Sequence, residues 1–139
     1  MESENVKRLR RGYEAFSRGD YDTALAWMHP EIEWHRGGAS IEGGVVRGRE
    51  AVKDFLRPEV FDRQVAEVEE ILDYGDQLLA TVLFHARGKA SGIEIASRGY
   101  HLWTLENGLV VRTEMFQERE EALAAVTSKV APTRAEFRG

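Results

Sequence analysis

The sequence predicts an α+β fold in which helices come first and an antiparallel sheet follows. Apolar residues recur about every 3.6 positions up to Leu56, and about every second position from Gln64 onwards. The tripeptide "ENG" at Glu106–Gly108 lies between two later apolar runs and indicates a hairpin, because Asn and Gly tolerate positive φ. Helices followed by a meander favour α+β over a doubly wound parallel sheet.

Three helices are expected in the N-terminal part of the chain. The first covers Glu4–Ser17, the second extends to Met28 and is ended by Pro30, and the third covers Gly48–Leu56 and is ended by Pro58. The first helix has an apolar stripe at helical spacing, formed by Val6, Leu9, Tyr13 and Phe16.

Five strands and a closing helix complete the expected order of elements. A short strand lies within "HPEIEWH" and leads into "GGASIEGG", whose glycines favour an irregular connection. Later strands are predicted at Gln64–Asp73, Gln77–Arg87, Ile93–Leu105 and Leu109–Gln117, and the closing helix at Arg119–Val126. We therefore expect one domain over residues 1–127, followed by a C-terminal tail over 128–139 that is mobile or a docking arm.

The composition limits the class of protein and of partner. The chain has 139 residues, which suits one domain, and its net charge of −5 without a basic aromatic patch argues against nucleic acid as a partner. It has no cysteine, which excludes disulfides and thiol nucleophiles. Its longest apolar run, Leu78–Phe84, is far shorter than a membrane span, and the N-terminus has no signal-peptide pattern. We expect a cytoplasmic protein with no membrane partner.

Several motifs together resemble a known family. "YEAFSRGDYDTALAWMHPEIEW" is followed in order by "VRGREAV", "DYGDQLLA", "GKASG", "LWTLENGLVVRTEMF" and "REEAL". This series resembles the SnoaL-like branch of the nuclear-transport-factor-2-like (NTF2-like) superfamily, which is related to polyketide cyclases and ketosteroid isomerases. The resemblance implies a cystatin-like cone-shaped barrel, with three helices packed on a curved, mostly antiparallel sheet around an apolar cavity. It also implies a homodimer.

The superfamily includes enzymes and non-catalytic binding modules, so membership alone does not indicate a reaction. The reaction has to be inferred from the residues at the catalytic positions. A steroid isomerase of this type uses a carboxylate base, a Tyr and a protonated Asp. Counted along the chain, the base position falls on Arg36 beside His35, and the Tyr position on Gly12 beside Tyr13. The acid position falls near His101, or on Tyr100 if the hairpin is one residue longer. The missing carboxylate argues against a standard steroid isomerase.

Two further reaction classes, epoxide hydrolysis and polyketide cyclisation, fit the residues of this chain to different degrees. An epoxide hydrolase of this superfamily holds an Arg between two carboxylates. Arg98 has no acidic residue two positions further along the chain, which argues against this activity. The polyketide-cyclase pattern fits better: His35 and His101 are candidate acid/base residues, since His titrates near neutral pH, and Arg36 could stabilise an enolate oxygen. Cyclases of this kind generally use an Asp where this chain has His101.

We expect an apolar, carbonyl-bearing small molecule in the cavity. The candidate ligand-binding residues are Tyr13, Trp34, Arg36, Trp103 and Met115. The four histidines lack HxH or HExxH spacing and no phosphate-binding glycine loop is present, so neither a metal nor a cofactor is expected.

Three functions remain open from the sequence. The first is a cofactor-independent cyclase, isomerase or dehydratase that uses His35 or His101. The second is a ligand-binding module without turnover. The third is a dimerisation domain, whose cavity would be filled by Trp34, Trp103, Met115 and Phe116 and whose outer sheet face would include Val82, Phe84, Leu102 and Val111.

Overall fold

A computed structural model describes residues 2–36, 44–57 and 59–137. The described residues form four helices and a seven-stranded sheet with strand order β2-β1-β6-β5-β4-β3-β7. All neighbouring strands are antiparallel except the parallel pair β1 and β6. The helices are α1 Glu4–Ser17, α2 Tyr21–Leu25, α3 Arg49–Leu56 and α4 Arg119–Ala125, and the strands are β1 Met28–His35, β2 Val45–Arg47, β3 Phe61–Asp73, β4 Gln77–Gly88, β5 Glu94–Glu106, β6 Leu109–Phe116 and β7 Thr133–Glu136. The α+β prediction with a mostly antiparallel sheet is confirmed.

Helix α1 forms where the sequence predicts it and lies on one face of the sheet. The Ser3 hydroxyl caps its N-terminus by accepting a hydrogen bond from the Val6 N–H at 3.2 Å. The apolar stripe then turns towards the sheet, and Val6, Leu9 and Tyr13 are buried. Burial of this apolar stripe stabilises the packing of the helix against the sheet.

Helix α2 ends earlier than predicted, because the chain enters β1 at Met28. Pro30 therefore lies inside a strand and does not end a helix. The ladder between β1 and β6 is irregular between Met28 and Glu33, so the missing N–H of Pro30 breaks no regular sheet pairing there. The predicted stop at Pro58, like residues 37–43 of the glycine-rich connection, lies outside the described residues.

The structure adds two short strands to the predicted ones. Strand β2 pairs with the end of β1, and β7 pairs with β3 through residues of the expected tail. The tail thus joins the sheet, and the Phe137 N–H continues this contact by donating to the Glu69 carbonyl at 3.1 Å. The buried Gln77 side chain accepts hydrogen bonds from the backbone N–H groups of Thr127 and Ser128, at 2.9 and 2.8 Å. Residues 128–137 therefore belong to the folded unit.

Glu70 on β3 holds the two C-terminal elements together. Its carboxylate accepts hydrogen bonds from Arg119 at the start of α4, at 3.0 Å, and from Arg134 on β7, at 2.5 Å. The Glu70 side chain is 11% exposed, so these charge-assisted bonds compensate a largely desolvated carboxylate.

The sheet carries a separate core on each face. Helices α1 to α3 cover the concave face, and α4 covers the other face. Three residues expected on an outer dimer surface lie elsewhere: Val82 is in the concave core, Phe84 lines the cavity on that side, and Leu102 is fully buried in the cluster that includes Ala122 of α4. Strand alternation explains this, since Val82 and Phe84 share a face and that face points inward.

We expect Glu70→Gln to lower the free energy of unfolding by about 1–2 kcal/mol, because two guanidinium groups lose a charged acceptor. The neighbouring Glu69→Gln is the control: its more exposed pair with Arg98 should contribute less than about 1 kcal/mol. Urea unfolding measures both variants. Equal decreases in the free energy of unfolding for the two variants would contradict the proposed role of Glu70 in joining α4 to β7.

Candidate functional site: an aromatic cavity on the concave face

A cavity of about 530 Å³ lies between the helices and the concave face of the sheet. This volume is typical of small-molecule sites. All three tryptophans of the chain line it. The predicted ligand-binding residues also line it, namely Tyr13, Trp34, Arg36, Trp103 and Met115. Trp34, Trp103, Met115 and Phe116 form part of the walls and leave the space between them open.

Strand alternation decides which residues at the end of β1 face the cavity. Trp34 and Arg36 line it, whereas the intervening His35 does not. The His35 Nε2 atom lies 3.1 Å from a carboxylate oxygen of Glu33, and Glu33 also accepts a hydrogen bond from Arg47 at 2.5 Å. These bonds lower the pKa of the Glu33 carboxyl group. His35 is therefore left out of the proposed site.

Tyr13 connects α1 to β5 through two hydrogen bonds at the inner end of the cavity. The Trp103 indole N–H donates to the Tyr13 hydroxyl oxygen at 2.9 Å, and that oxygen lies 2.8 Å from His101 Nδ1. The rings also pack together: Tyr13 stacks on His101 with centroids 5.9 Å apart and meets Trp103 edge-on at 5.7 Å.

This pattern assigns the His101 tautomer. The Tyr13 oxygen accepts a hydrogen bond from Trp103, and among the described residues His101 Nδ1 is the acceptor within reach of its own O–H, so we assign this O–H as the donor to Nδ1. In a neutral imidazole the remaining proton then sits on Nε2. Burial lowers the pKa of His101 to about 4, so the ring is neutral at pH 7, and burial raises the pKa of Tyr13, which keeps its proton.

The Nε2–H group of His101 points to open space. Within the described parts of the chain it has no hydrogen-bond partner. Gly99 lines the cavity beside it, and a Cβ atom at that position would lie 3.7 Å from Nε2. A side chain at position 99 would therefore contact the imidazole on its cavity side, and the glycine leaves this space open.

A second aromatic group lies beside the first one, on strand β1 and helix α3. The Trp34 indole donates to the Met115 sulfur at 3.0 Å and meets Trp103 edge-on, with centroids 5.4 Å apart. Phe55 of α3 packs against Trp34, and the Arg36 guanidinium lies over the Phe55 ring, 5.6 Å from its centroid. Arg36 is thereby held at the wall of the cavity.

The charged side chains among the described lining residues are both arginines. Among the described lining residues no Asp or Glu is present, and the charged members are Arg36 and Arg98. Arg98 forms two hydrogen bonds with Glu69, at 2.6 and 3.0 Å, which lower the pKa of the Glu69 carboxyl group. The site thus lacks, in its described walls, a carboxylate that could act as a general base.

Two structural features are absent from residues 2–36, 44–57 and 59–137. There, no three His, Asp or Glu side chains lie close enough together to hold a metal ion. Across the same residues, no helix combines the length and the apolar character that a membrane span requires.

Comparison with known proteins places the fold in a family. A family model described as "SnoaL-like domain" matches residues 9–113. The chain belongs to this SnoaL-like family. Among curated proteins, none matches the sequence significantly. An NTF2-like protein of unknown function from Burkholderia pseudomallei is 27% identical to this SnoaL-like domain, with a TM-score of 0.72, and the match covers 91% of this chain and 99% of that one.

Two more distant structures share the fold of this SnoaL-like domain. A Mycobacterium tuberculosis protein, solved in complex with estradiol-17β-hemisuccinate, has 17% identity and a TM-score of 0.72, with 86% of this chain and 97% of that chain covered. TerC, co-crystallised with polyporic acid, has 23% identity and a TM-score of 0.69, with 88% and 97% covered.

We expect His101 to titrate near pH 4 and to carry its neutral-state proton on Nε2, as read from imidazole ¹⁵N chemical shifts. An unfolded His has a pKa near 6.5. As the pH falls from 6.5 to 4, the unfolded state binds a proton that the native state does not. The wild type should therefore lose up to about 3 kcal/mol of stability relative to His101→Gln over this range. A normal pKa or an Nδ1–H tautomer would contradict the assignment.

Proposed function

We propose that this SnoaL-like domain binds an apolar, ring-containing small molecule whose carbonyl oxygen accepts a hydrogen bond from His101 Nε2–H. The observation that carries the proposal is the position of the His101 ring, whose Nδ1 lies 2.8 Å from the Tyr13 hydroxyl while the ring lines the cavity. A carbonyl oxygen is a suitable acceptor for this donor. This one directional hydrogen bond would orient the ligand, and the rest of the ligand would contact the aromatic walls of the cavity.

The size and lining of the cavity support a ring-bearing ligand. About 530 Å³ accommodates several fused rings, and aromatic side chains from α1, α3 and the sheet surround this space. Related structures support the same class, since the Mycobacterium tuberculosis protein is in complex with a steroid derivative and TerC with polyporic acid. Both carry their ligands on the same fold.

An acid/base enzyme of the cyclase or isomerase type is the second candidate. The Nε2–H donor would stabilise an enolate oxygen as well as a carbonyl oxygen, which favours such a reaction. The reaction also requires a base, and the described lining has no carboxylate, while His101 Nδ1 is engaged by Tyr13. Binding is therefore the better supported function, and in catalysis His101 would act as the oxyanion donor. A cytoplasmic homodimer stays a prediction.

The test compares 9-fluorenone with fluorene, two planar tricyclic compounds that differ at the ketone. Quenching of tryptophan fluorescence reports binding, because all three tryptophans line the cavity. We expect fluorenone to bind about tenfold more tightly than fluorene, which corresponds to one hydrogen bond of about 1–1.5 kcal/mol. The His101→Phe variant should bind both compounds equally.

His35→Phe is the matched control, since it removes an imidazole that lies outside the cavity. It should retain the preference for the ketone. Equal binding of the two compounds by the wild type would contradict the role of His101. Failure of both to bind would contradict a ligand-binding cavity.

A further inference from the structure

The Tyr13 hydroxyl lies between two ring nitrogens at the wall of the cavity. Trp103 Nε1 is 2.9 Å from the hydroxyl oxygen on one side, and His101 Nδ1 is 2.8 Å from it on the other. Tyr13 and Trp103 are both buried. A buried donor without an acceptor loses its hydration without compensation, so the protons of these three groups have to be arranged to pair every donor.

Two arrangements of the protons fit these distances. In the first, the Trp103 N–H donates to the Tyr13 oxygen, the Tyr13 O–H donates to His101 Nδ1, and every donor of the group is paired. In the second, the Trp103 N–H and an N–H at His101 Nδ1 both donate to the Tyr13 oxygen. The hydroxyl proton then has no acceptor among the described residues. The first arrangement is therefore favoured by one paired donor.

The proton arrangement at Nδ1 determines what the His101 ring offers on its other side. The ring is neutral at pH 7 and a neutral imidazole has one N–H, so an Nδ1 that accepts leaves the proton on Nε2. For Nε2 to accept, this proton would have to move to Nδ1, and the Tyr13 hydroxyl proton would lose its acceptor. A ligand N–H directed at Nε2 thus meets another donor.

We infer that Tyr13 is a positioning residue that determines ligand selectivity: its hydroxyl holds His101 as a donor, so the cavity selects ligands with a hydrogen-bond acceptor at this point and rejects those with a donor. The inference rests on the proposed function, because it concerns the same cavity. Ketones, quinones and lactones have the selected group. Planar heterocycles of the same outline with a ring N–H belong to the rejected class.

The packing of Tyr13 does not depend on its hydroxyl. The ring stacks on His101 with centroids 5.9 Å apart and meets Trp103 edge-on at 5.7 Å. The Tyr13→Phe variant retains a ring of the same shape for these contacts and removes the hydroxyl. His101 Nδ1 then has no hydrogen-bond partner among the described residues, so the two neutral tautomers become similar in free energy.

The test adds carbazole to 9-fluorenone and fluorene, because carbazole places an N–H where fluorenone places its ketone. Equilibrium dialysis at pH 7.5 gives the dissociation constants for the full chain. Dividing each constant by that of fluorene removes any effect of a variant on the shape of the cavity. We expect the wild type to bind fluorenone most tightly and carbazole no more tightly than fluorene.

Tyr13→Phe should improve the binding of carbazole relative to fluorene at least tenfold, because Nε2 can now accept. The ¹⁵N chemical shifts of His101 should show a gain of the Nδ1–H tautomer in this variant, which a loss of packing alone would not produce. Tyr21→Phe is the matched control. The Tyr21 hydroxyl accepts from Gln64 at 3.4 Å and lies outside the described lining, so this variant should keep the wild-type order of affinities.

Tighter binding of carbazole than of fluorene by the wild type would overturn the inference, and so would an unchanged ratio in Tyr13→Phe. The wild-type comparison requires no variant, so it decides the question even if Tyr13→Phe fails to fold. In these cases a wild-type preference for fluorenone over fluorene would leave the proposed function standing. If none of the three compounds binds, the inference and the proposed function both fall.

Discussion

The hydrogen bonds of the Tyr13 hydroxyl are the interaction on which the site depends. They join a helix to the sheet and, in the same place, determine the chemistry of the imidazole beside it. Because the hydroxyl accepts from Trp103 and donates to His101, the imidazole is left with one proton, on the nitrogen that faces the cavity. A Phe at position 13 would preserve the packing and remove this control.

The cavity lies between the helices and the concave face of the sheet. Leu9 and Val82 belong both to the buried core and to the cavity lining, which also includes the rings of Phe55, Trp34 and Phe84. At the β7 edge of the sheet, the Glu70 carboxylate accepts hydrogen bonds from Arg119 of α4 and Arg134 of β7, on the face of β3 that points away from the cavity.

The periodicity of the sequence was sufficient to predict α1, α3, α4 and the long strands, because each buries one face and repeats its pattern over at least two turns or several strand residues. It did not reveal β2 or β7, which are three and four residues long and have no apolar alternation. The predicted end of α2 was wrong because Pro does not only end helices: it also occurs where a strand ladder is irregular, as at Pro30.

The site was predictable in its members and less so in their geometry. The sequence alone named Tyr13, Trp34, Arg36, His101, Trp103 and Met115, which line the cavity, and His35, which does not. It left the direction of His35, Arg36 and His101 open, since one residue of register moves a side chain to the other face. Phe55 and Gly99 were not assigned to the site. The spacing of His101 and Trp103, two residues apart on one strand, was the available signal that both share a face with a common partner.

A crystal structure of the protein with bound 9-fluorenone tests the central claim most directly. The account predicts the ketone oxygen within hydrogen-bond distance of His101 Nε2, with the Tyr13 hydroxyl still on Nδ1 and the rings lying towards Met115. A ketone oxygen that bonds elsewhere, or a His101 ring that has turned to place Nδ1 in the cavity, would contradict it.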